Sequence, residues 1–180
     1  MGENNFGLLS PWLRRQRIKM AGPYLRGRVL DFGCGPGELA ALCSSDVYIG
    51  VDRDRDLLLS ARKAFPMHRF QENIGEAGPF DTIVLLAVIE HVQQPDILIQ
   101  ELAATMTPQG HVILTTPHPR GRWIHDLGAK MGLFSCHAAE EHETFLDSVS
   151  MERICEKAEL HILQSKFFQC GFNQLFVLGR

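Results

Sequence analysis

The stretch from Val29 to Leu39, VLDFGCGPGEL, constrains the fold more than any other part of the chain. An apolar run reaches a carboxylate at Asp31, glycines alternate at Gly33, Gly35 and Gly37, and an apolar LAAL follows. This order predicts a strand, a tight turn and a helix. Glycine accepts positive φ and leaves no Cβ between the backbone and a ligand, and a following helix N-terminus favours a negative group. The stretch therefore indicates a ligand-binding loop, although glycine pairs also occur in ordinary turns.

The spacing of the glycines separates two kinds of nucleotide-binding loop. A dinucleotide fingerprint, G-x-G-x-x-G, requires a glycine at position 38, where this chain has Glu38. A second apolar run ends at Asp52, and two strand-like runs joined by a short helical stretch predict a parallel β-α-β unit. An acid at the carboxyl end of the second strand can accept hydrogen bonds from both ribose hydroxyls. Carboxylates after strands are common, but beside the glycine loop Asp52 favours ribose binding.

Bulk composition excludes several classes of protein. The chain has 180 residues, 45% of them hydrophobic, and a net charge of −3. These values predict one domain over residues 1–180 without the basic face that sequence-independent nucleic-acid binding needs. The N-terminus lacks a signal-peptide pattern, and no apolar run is long enough to cross a bilayer. Five cysteines are scattered singly along the chain, which indicates reduced thiols and a cytoplasmic location.

Apolar periodicity and turn residues predict the other elements. A helix from Pro95 is expected to bury Leu98, Leu102 and Met106, and a turn at 107–110 should follow it. The remaining predicted elements are a helix at 8–25 ended by Gly22-Pro23, a helical stretch at 39–42, a strand at 47–52, a helix at 54–65, an edge strand at 68–73, a central strand at 80–88, a strand at 111–116, a helix at 149–158 and strands at 160–168 and 172–178.

Residues 117–147 interrupt the alternation of strands and helices. Long irregular segments in compact domains are usually functional or disordered, and the aromatic content here favours an ordered cap or lid inserted in the single domain. The residues in it that could ligate zinc are His118, His125, Cys136, His137 and His142. Apart from the pair His137 and His142, their spacings fit no compact zinc pattern, so we expect no metal.

Taken in order, these motifs resemble the class I S-adenosylmethionine-dependent methyltransferases. Within that family the chain is most similar to the type 11/12 enzymes, which include ubiquinone-biosynthesis enzymes and act on small molecules. Asp31 with its glycines resembles motif I, FDTIV from Phe80 resembles the family's F-D-x-V strand, and VIEHV from Val88 resembles its V-L-E-H-V segment. MTPQGHV from Met106 stands where those proteins have L-x-P-G-G. The resemblance implies a Rossmann-like α/β fold: a seven-stranded, mostly parallel sheet, helices on both faces, and a C-terminal antiparallel strand pair.

The resemblance also implies a cofactor, S-adenosylmethionine, which would leave as S-adenosylhomocysteine. Asp52 would hold the ribose, Arg53 would lie along the adenine, and Ala87, after the fourth strand, would lie near the methyl-bearing sulfur. The residues that would face the methionine part of the cofactor are Asp31, Gly33, Cys34, Gly35 and Gly37.

Three positions depart from the family pattern. Asn73 stands where the family usually has an aspartate that accepts from the adenine amino group, and an amide oxygen can accept the same bond. Gln109 replaces the first glycine after Pro108, and Glu159 stands where a glycine commonly ends the last helix. The last two changes affect turn geometry rather than chemistry.

Methyl transfer from a sulfonium is a direct displacement, in which the protein mainly aligns the reactants. A hydroxyl or amine acceptor needs a base, and histidine suits that role near neutral pH. The resemblance makes His91 and His142 the main candidates, with His118 and His137 as others. His91 could equally be structural and His142 a solvated residue among acids. An acceptor that is already ionised, or an activated carbon, needs no base.

Two functions stay open at this point. The first is methyl transfer to an oxygen, nitrogen or carbon nucleophile of a small-molecule acceptor. The second is a cofactor-binding domain that acts as a sensor or partner subunit without catalysis. A nicotinamide-dependent oxidoreductase is disfavoured by Glu38 and by the antiparallel ending. The P-P-Y or P-P-F step that is typical of nucleic-acid amino methylation does not follow the fourth strand.

Overall fold

The computed structural model describes residues 10–118 and 146–180, and in these ranges seven strands form one sheet. The α-helices within the described ranges are α1 (Ser10–Ala21), α2 (Arg55–Ala64), α3 (Pro95–Ala104) and α4 (Ser148–Lys157). The strands are β1 (Val29–Phe32), β2 (Tyr48–Val51), β3 (Arg69–Gln71), β4 (Phe80–Leu86), β5 (Met106–Pro117), β6 (His161–Phe168) and β7 (Asn173–Gly179).

The strand order is β3-β2-β1-β4-β5-β7-β6. All pairs from β3 to β5 are parallel, whereas β7 runs antiparallel to both β5 and β6. The predicted fold class is therefore confirmed, including the edge position of β3 and the antiparallel pair at the end of the chain. Because β1, β2, β4 and β5 are parallel, their carboxyl ends meet at one edge of the sheet, where the glycine loop lies.

Both faces of the sheet are covered, which explains the nearly continuous apolar runs in its strands. Leu30, Val112 and Phe176 pack in one apolar cluster with α3 and α4. The intervening positions pack in a second cluster with α1 and α2, and Ile113 and Leu175 belong to it. Alternate residues of one strand thus belong to two different hydrophobic cores, because successive side chains point to opposite faces of the sheet. None of the helices within residues 10–118 and 146–180 combines the length and apolarity needed to cross a bilayer.

The predicted helical stretch after the glycine loop is only a 3-10 turn, Glu38–Leu42. The chain has few residues in which to return from the carboxyl edge to the start of β2 at Tyr48, and Cys43 is already extended. A single tight turn fits this short connection, whereas an α-helix of ordinary length does not. The expectation of an α-helix whose N-terminus favours a negative group is therefore wrong at this point of the chain.

The predicted end of α3 is also wrong. The buried face of α3 consists of Ile99, Leu102 and Ala103, whereas Met106 already belongs to β5. The backbone N–H of Phe80 donates to the carbonyl of Thr105 at 2.9 Å, so the chain joins the sheet directly after the helix. The predicted turn at 107–110 is instead an irregularity within β5, because Phe80 pairs with Met106 and Thr82 with His111.

The end of α4 has the hydrogen bonds of a Schellman motif, with Glu159 in the position that usually holds glycine. Glu159 has a φ of 54°. The N–H of Leu160 donates to the carbonyl of Cys155 at 2.9 Å, and that of Glu159 donates to Glu156 at 3.3 Å. These two bonds define the motif, and its left-handed residue is strained unless it is glycine.

Glu159→Gly is therefore expected to stabilise the protein by about 1 kcal/mol, because it removes the left-handed strain at a small entropic cost. For a chain of this size that gain raises the melting temperature by roughly 2–4 °C, which calorimetry can measure. Glu156→Gly is the matched control, since Glu156 is an exposed residue inside α4 and glycine there should cost about 1 kcal/mol. Equal losses of stability in both variants would contradict the assignment.

Candidate functional site

The glycine loop contains three residues with positive φ: 75° at Gly33, 53° at Gly35 and 79° at Gly37. A Cβ on Gly33 would lie 2.4 Å from Val88 Cγ2, and a Cβ on Gly37 would lie 2.7 Å from the Phe70 ring. A Cβ on Gly35 would have no atom within 4 Å. Close packing thus requires glycine at the two outer positions. Gly35 faces open space at the carboxyl edge, where a ligand can approach the backbone.

Asp52, directly after β2, is hydrogen-bonded to this loop. Its Oδ2 accepts from the N–H of Gly35 at 2.8 Å, and its Oδ1 accepts from the N–H of Asp54 at 2.9 Å. The side chain is half-buried, and each carboxylate oxygen has a second lone pair. Asp52 can therefore accept two further hydrogen bonds beside the open face of Gly35. The structure brings these two predicted residues together.

Asp31 lies deeper, within β1, and is 3% exposed. Its Oδ2 accepts a hydrogen bond from the Tyr48 hydroxyl at 2.7 Å. Burial raises the pKa of Asp31 to about 7; the Tyr48 hydrogen bond opposes this effect and the nearby charge of Asp52 adds to it. The site thus holds an acid beneath the loop that a cationic group nearby would help to ionise.

The hydrogen bond from Tyr48 to Asp31 was not predicted from the sequence. The signal is visible only once the parallel register is known, because Asp31 pairs with Gly50 and Tyr48 lies two residues earlier on the same face.

Cys34 contributes backbone rather than thiolate chemistry. The N–H groups of Gly33 and Cys34 both donate to the carbonyl of Val51, at 2.8 Å and 3.0 Å, which ties the loop to the end of β2. The thiol is buried, and its pKa is raised well above the usual range by burial and by the charges of Asp31 and Asp52. A neutral thiol therefore packs under the loop.

Arg53 and Asn73 lie at the carboxyl ends of β2 and β3, and both side chains are exposed. The two strand ends are joined by the bond from the Asp52 N–H to the Gln71 carbonyl at 3.2 Å. Gln71 Nε2 also donates to the Asn73 carbonyl at 2.6 Å. Both residues thus lie at the same edge of the sheet as Asp52, where the resemblance implies an adenine. Their roles remain predictions.

Ala87 directly follows β4 and has a φ of 58°, which is unusual for a residue other than glycine. Its N–H donates to the carbonyl of Thr115 at 3.0 Å. Strained backbone of this kind is concentrated at functional sites, and Ala87 lies at the carboxyl edge of the sheet, after the strand next to β1. Its proximity to a cofactor remains a prediction.

The predicted histidines have different positions. His91 is exposed in a short 3-10 turn, Ile89–His91, after β4. His118 follows β5, and its ring lies 5.2 Å from that of Phe167 in an edge-on contact. His142, together with His125, Cys136 and His137, lies outside the described residues, as does most of the predicted cap. Among residues 10–118 and 146–180, no three or more metal-ligating side chains cluster.

The chain is similar to known methyltransferases in sequence and in structure. A family described as a methyltransferase domain matches residues 2–165. A ubiquinone biosynthesis O-methyltransferase from Vibrio campbellii is 26% identical over 148 residues, which cover 74% of this chain and 63% of the relative. A trans-aconitate 2-methyltransferase from Variovorax paradoxus is 31% identical over 109 residues, 56% of this chain and 42% of the relative. The chain thus spans less than two thirds of either relative.

The fold is shared with solved structures. The crystal structure of a magnesium protoporphyrin IX methyltransferase from Synechocystis, with bound S-adenosylhomocysteine, matches with a TM-score of 0.74 at 17% identity. The match covers 99% of this chain and 90% of the other. At this identity the similarity supports the architecture of the chain rather than its substrate.

Proposed function

This chain belongs to the methyltransferase domain family, and from that membership we propose that it transfers a methyl group from S-adenosylmethionine to a small-molecule acceptor. The family that its motifs resemble is therefore confirmed. The observation that carries the proposal is the open backbone at Gly35 beside the carboxylate of Asp52, 2.8 Å from the Gly35 nitrogen. A vicinal diol next to an exposed peptide suits this arrangement.

The residues present fit the proposed cofactor. Asp52 has two free lone pairs for the ribose hydroxyls. Gly35 leaves room for a close approach to the backbone, and the buried acid Asp31 offers a counter-charge for an ammonium group. Gly33 and Cys34 hold the loop to β2 through the Val51 carbonyl. The loop is therefore organised before any ligand binds.

When bound, S-adenosylmethionine supplies the electrophilic methyl carbon and the leaving sulfur. The task of this chain is to hold the acceptor in line with that methyl group. Alignment of two reactants can account for about 7–11 kcal/mol of the barrier. Ala87 would set the closest approach of the backbone at the end of β4, because its φ of 58° fixes the direction in which the chain leaves the strand.

His91 and His142 belong to the proposal as candidate bases. His91 follows β4 in a short 3-10 turn and is exposed to solvent. If it takes the acceptor's proton, His91→Ala should lower kcat by at least 100-fold with unchanged cofactor affinity. If it only orients the loop, the loss should appear mainly in stability.

The names of the curated relatives support a small organic acceptor, and one of them supports an oxygen nucleophile. The net charge of −3 supports a small molecule rather than a nucleic acid as acceptor. A cytoplasmic location is also part of the proposal. Four cysteines in the described ranges, Cys34, Cys43, Cys155 and Cys170, are free, which suits a reducing compartment.

Methyl transfer can be tested with S-adenosylmethionine that is tritiated on the methyl group. The full chain is incubated with phenols, carboxylic acids, amines, RNA or DNA, and the products are separated before counting. We expect label in one class of small molecule and none in nucleic acid. Label in RNA or DNA alone, or no transfer to any class although the cofactor binds, would contradict the proposal.

A further inference from the structure

Polar atoms without partners are concentrated at the carboxyl ends of β5 and β6 and the adjoining start of β7. In the described part of the chain, buried side-chain oxygens or nitrogens of the following residues have no hydrogen-bond partner: Thr115, Thr116, Gln169, Asn173 and Gln174. Buried polar groups in native proteins are nearly always paired with protein or with ordered water. These unpaired atoms lie at the same edge of the sheet as the glycine loop. We therefore expect them to form hydrogen bonds with a ligand or with ordered water.

The strand register divides this cluster between the two faces of the sheet. Thr115 pairs with Leu175, whereas Thr116 pairs with Gln174. Leu175 belongs to the core on the side of α1 and α2, so Thr115 and Asn173, at alternate positions, point to that side. Thr116 and Gln174 point to the opposite face, where Gln174 Nε2 donates to the carbonyl of Leu146.

Asn173 and Gln169 form an amide pair on the α1 side. Asn173 Nδ2 donates to Gln169 Oε1 at 2.5 Å, which leaves the Asn173 oxygen and the Gln169 nitrogen unpaired. If the oxygen and nitrogen of both side-chain amides were exchanged, one carbonyl and one amino group would still have no hydrogen-bond partner. The pair therefore presents one acceptor and one donor, and neither carries a formal charge.

These residues form a polar row that leads from the surface towards β4. Gln169 is partly exposed, Asn173 is 8% exposed and Thr115 is fully buried. Thr115 pairs with Leu86 at the end of β4, and its carbonyl holds the N–H of Ala87. Asn173, on β7, lies two strand spacings from β4, which is roughly 10 Å.

Backbone strain is concentrated at the same edge. Besides Ala87, the residues Gln169 and Cys170 have positive φ, 52° and 57°. Strained residues persist where the surrounding structure holds them and are common at ligand-binding sites. The unusual backbone of Gln169 places its amide against Asn173 rather than in solvent.

We propose that Thr115, Asn173 and Gln169 form the acceptor subsite, which binds an uncharged group that both donates and accepts hydrogen bonds. A carboxamide or a hydroxyl satisfies both members of the amide pair, whereas a carboxylate only accepts and would face an unpaired amide oxygen. The group would lie roughly 10 Å from the atom that is methylated. This inference rests on the proposed function, because Ala87 marks the methyl position only if the cofactor binds there.

Three rigid phenols of similar length test the subsite: 4-hydroxycinnamamide, 4-hydroxycinnamate and 4-propenylphenol. Their affinities are measured by isothermal titration calorimetry with the full chain saturated with S-adenosylhomocysteine. We expect the amide to bind most tightly and the propenyl compound most weakly. Asn173→Leu should lower the affinity for the amide by about 10-fold, the effect of one lost hydrogen bond, and should leave that for 4-propenylphenol unchanged.

Thr115→Val and Thr116→Val provide a matched pair. Both hydroxyls are fully buried and unpaired, so neither substitution should destabilise the protein. Only Thr115→Val should weaken binding of the amide, because Thr116 lies on the opposite face. Equal effects of the two variants, or no preference for the amide over 4-propenylphenol, would overturn the subsite and indicate that the polar atoms bind ordered water only.

The two proposals fail in different ways. If S-adenosylhomocysteine does not bind, both the proposed function and the proposed subsite are contradicted. If S-adenosylhomocysteine binds but none of the three phenols does, or Asn173→Leu leaves their affinities unchanged, only the subsite is overturned.

Discussion

Replacing Asp52 with alanine is expected to weaken the binding of S-adenosylhomocysteine by about 100-fold or more. The substitution removes the acceptor for two ribose hydroxyls, and hydrogen bonds to a charged group contribute about 1.5–3 kcal/mol each. It also leaves the N–H groups of Gly35 and Asp54 without the carboxylate that now accepts from them at 2.8 Å and 2.9 Å. Isothermal titration calorimetry measures the affinity, and Asp52→Asn should fall between alanine and the native residue.

Asp54→Ala is the matched control for this prediction. Asp54 lies two residues away and caps α2, where its Oδ1 accepts from the N–H groups of Asp56 and Leu57 at 2.9 Å and 3.1 Å. Its loss should cost about 1 kcal/mol of stability and change the affinity only slightly, because the Asp52 side chain remains. An unchanged affinity in Asp52→Ala would remove Asp52 from the cofactor site.

Replacing Asp31 with asparagine is expected to stabilise the ligand-free protein above neutral pH. In the native chain, burial raises the pKa of Asp31 from 3.8 to about 7, so the folded state binds more protons than the unfolded state between these values. Stability therefore falls as pH rises from about 4 to about 7. A rise of the Asp31 pKa from 3.8 to about 7 corresponds to a loss of at most about 4 kcal/mol of folding stability.

Urea unfolding at pH 5, 6.5 and 8 measures this effect. Asp31→Asn keeps an oxygen for the Tyr48 hydroxyl but adds an amide that needs a partner, so we expect a net gain of about 1–3 kcal/mol at pH 8. The gain should shrink or vanish at pH 5. A destabilisation that is the same at all three values would contradict the raised pKa. The same variant should bind S-adenosylmethionine more weakly, since the counter-charge for the ammonium group is lost.

The sheet and the meeting of Asp52 with the glycine loop could be predicted because they follow from local patterns. The run from Ile83 to Leu86 is apolar on both faces, which is typical of a central parallel strand. Carboxyl ends of neighbouring parallel strands lie at one edge of the sheet. Residues that follow β1 and β2 therefore had to come together, whatever the details of the loop.

Features that depend on register could not be predicted in the same way. Tyr48 bonds to Asp31 only because β1 and β2 pair as they do, and the unpaired amides of Gln169 and Asn173 arise from the turn between β6 and β7. The residues after Gly37 have the local propensity of a helix. However, the short return to β2 limited it to a 3-10 turn, Glu38–Leu42, since tertiary geometry overrides propensity.

The most direct test of the proposed methyltransferase is calorimetric titration of the unmodified chain with S-adenosylmethionine, S-adenosylhomocysteine and NAD. The open backbone at Gly35, the carboxylate of Asp52 and the absence of a glycine at position 38 predict one-to-one binding of both sulfur compounds and no binding of NAD. Binding of NAD without binding of either sulfur compound would contradict it.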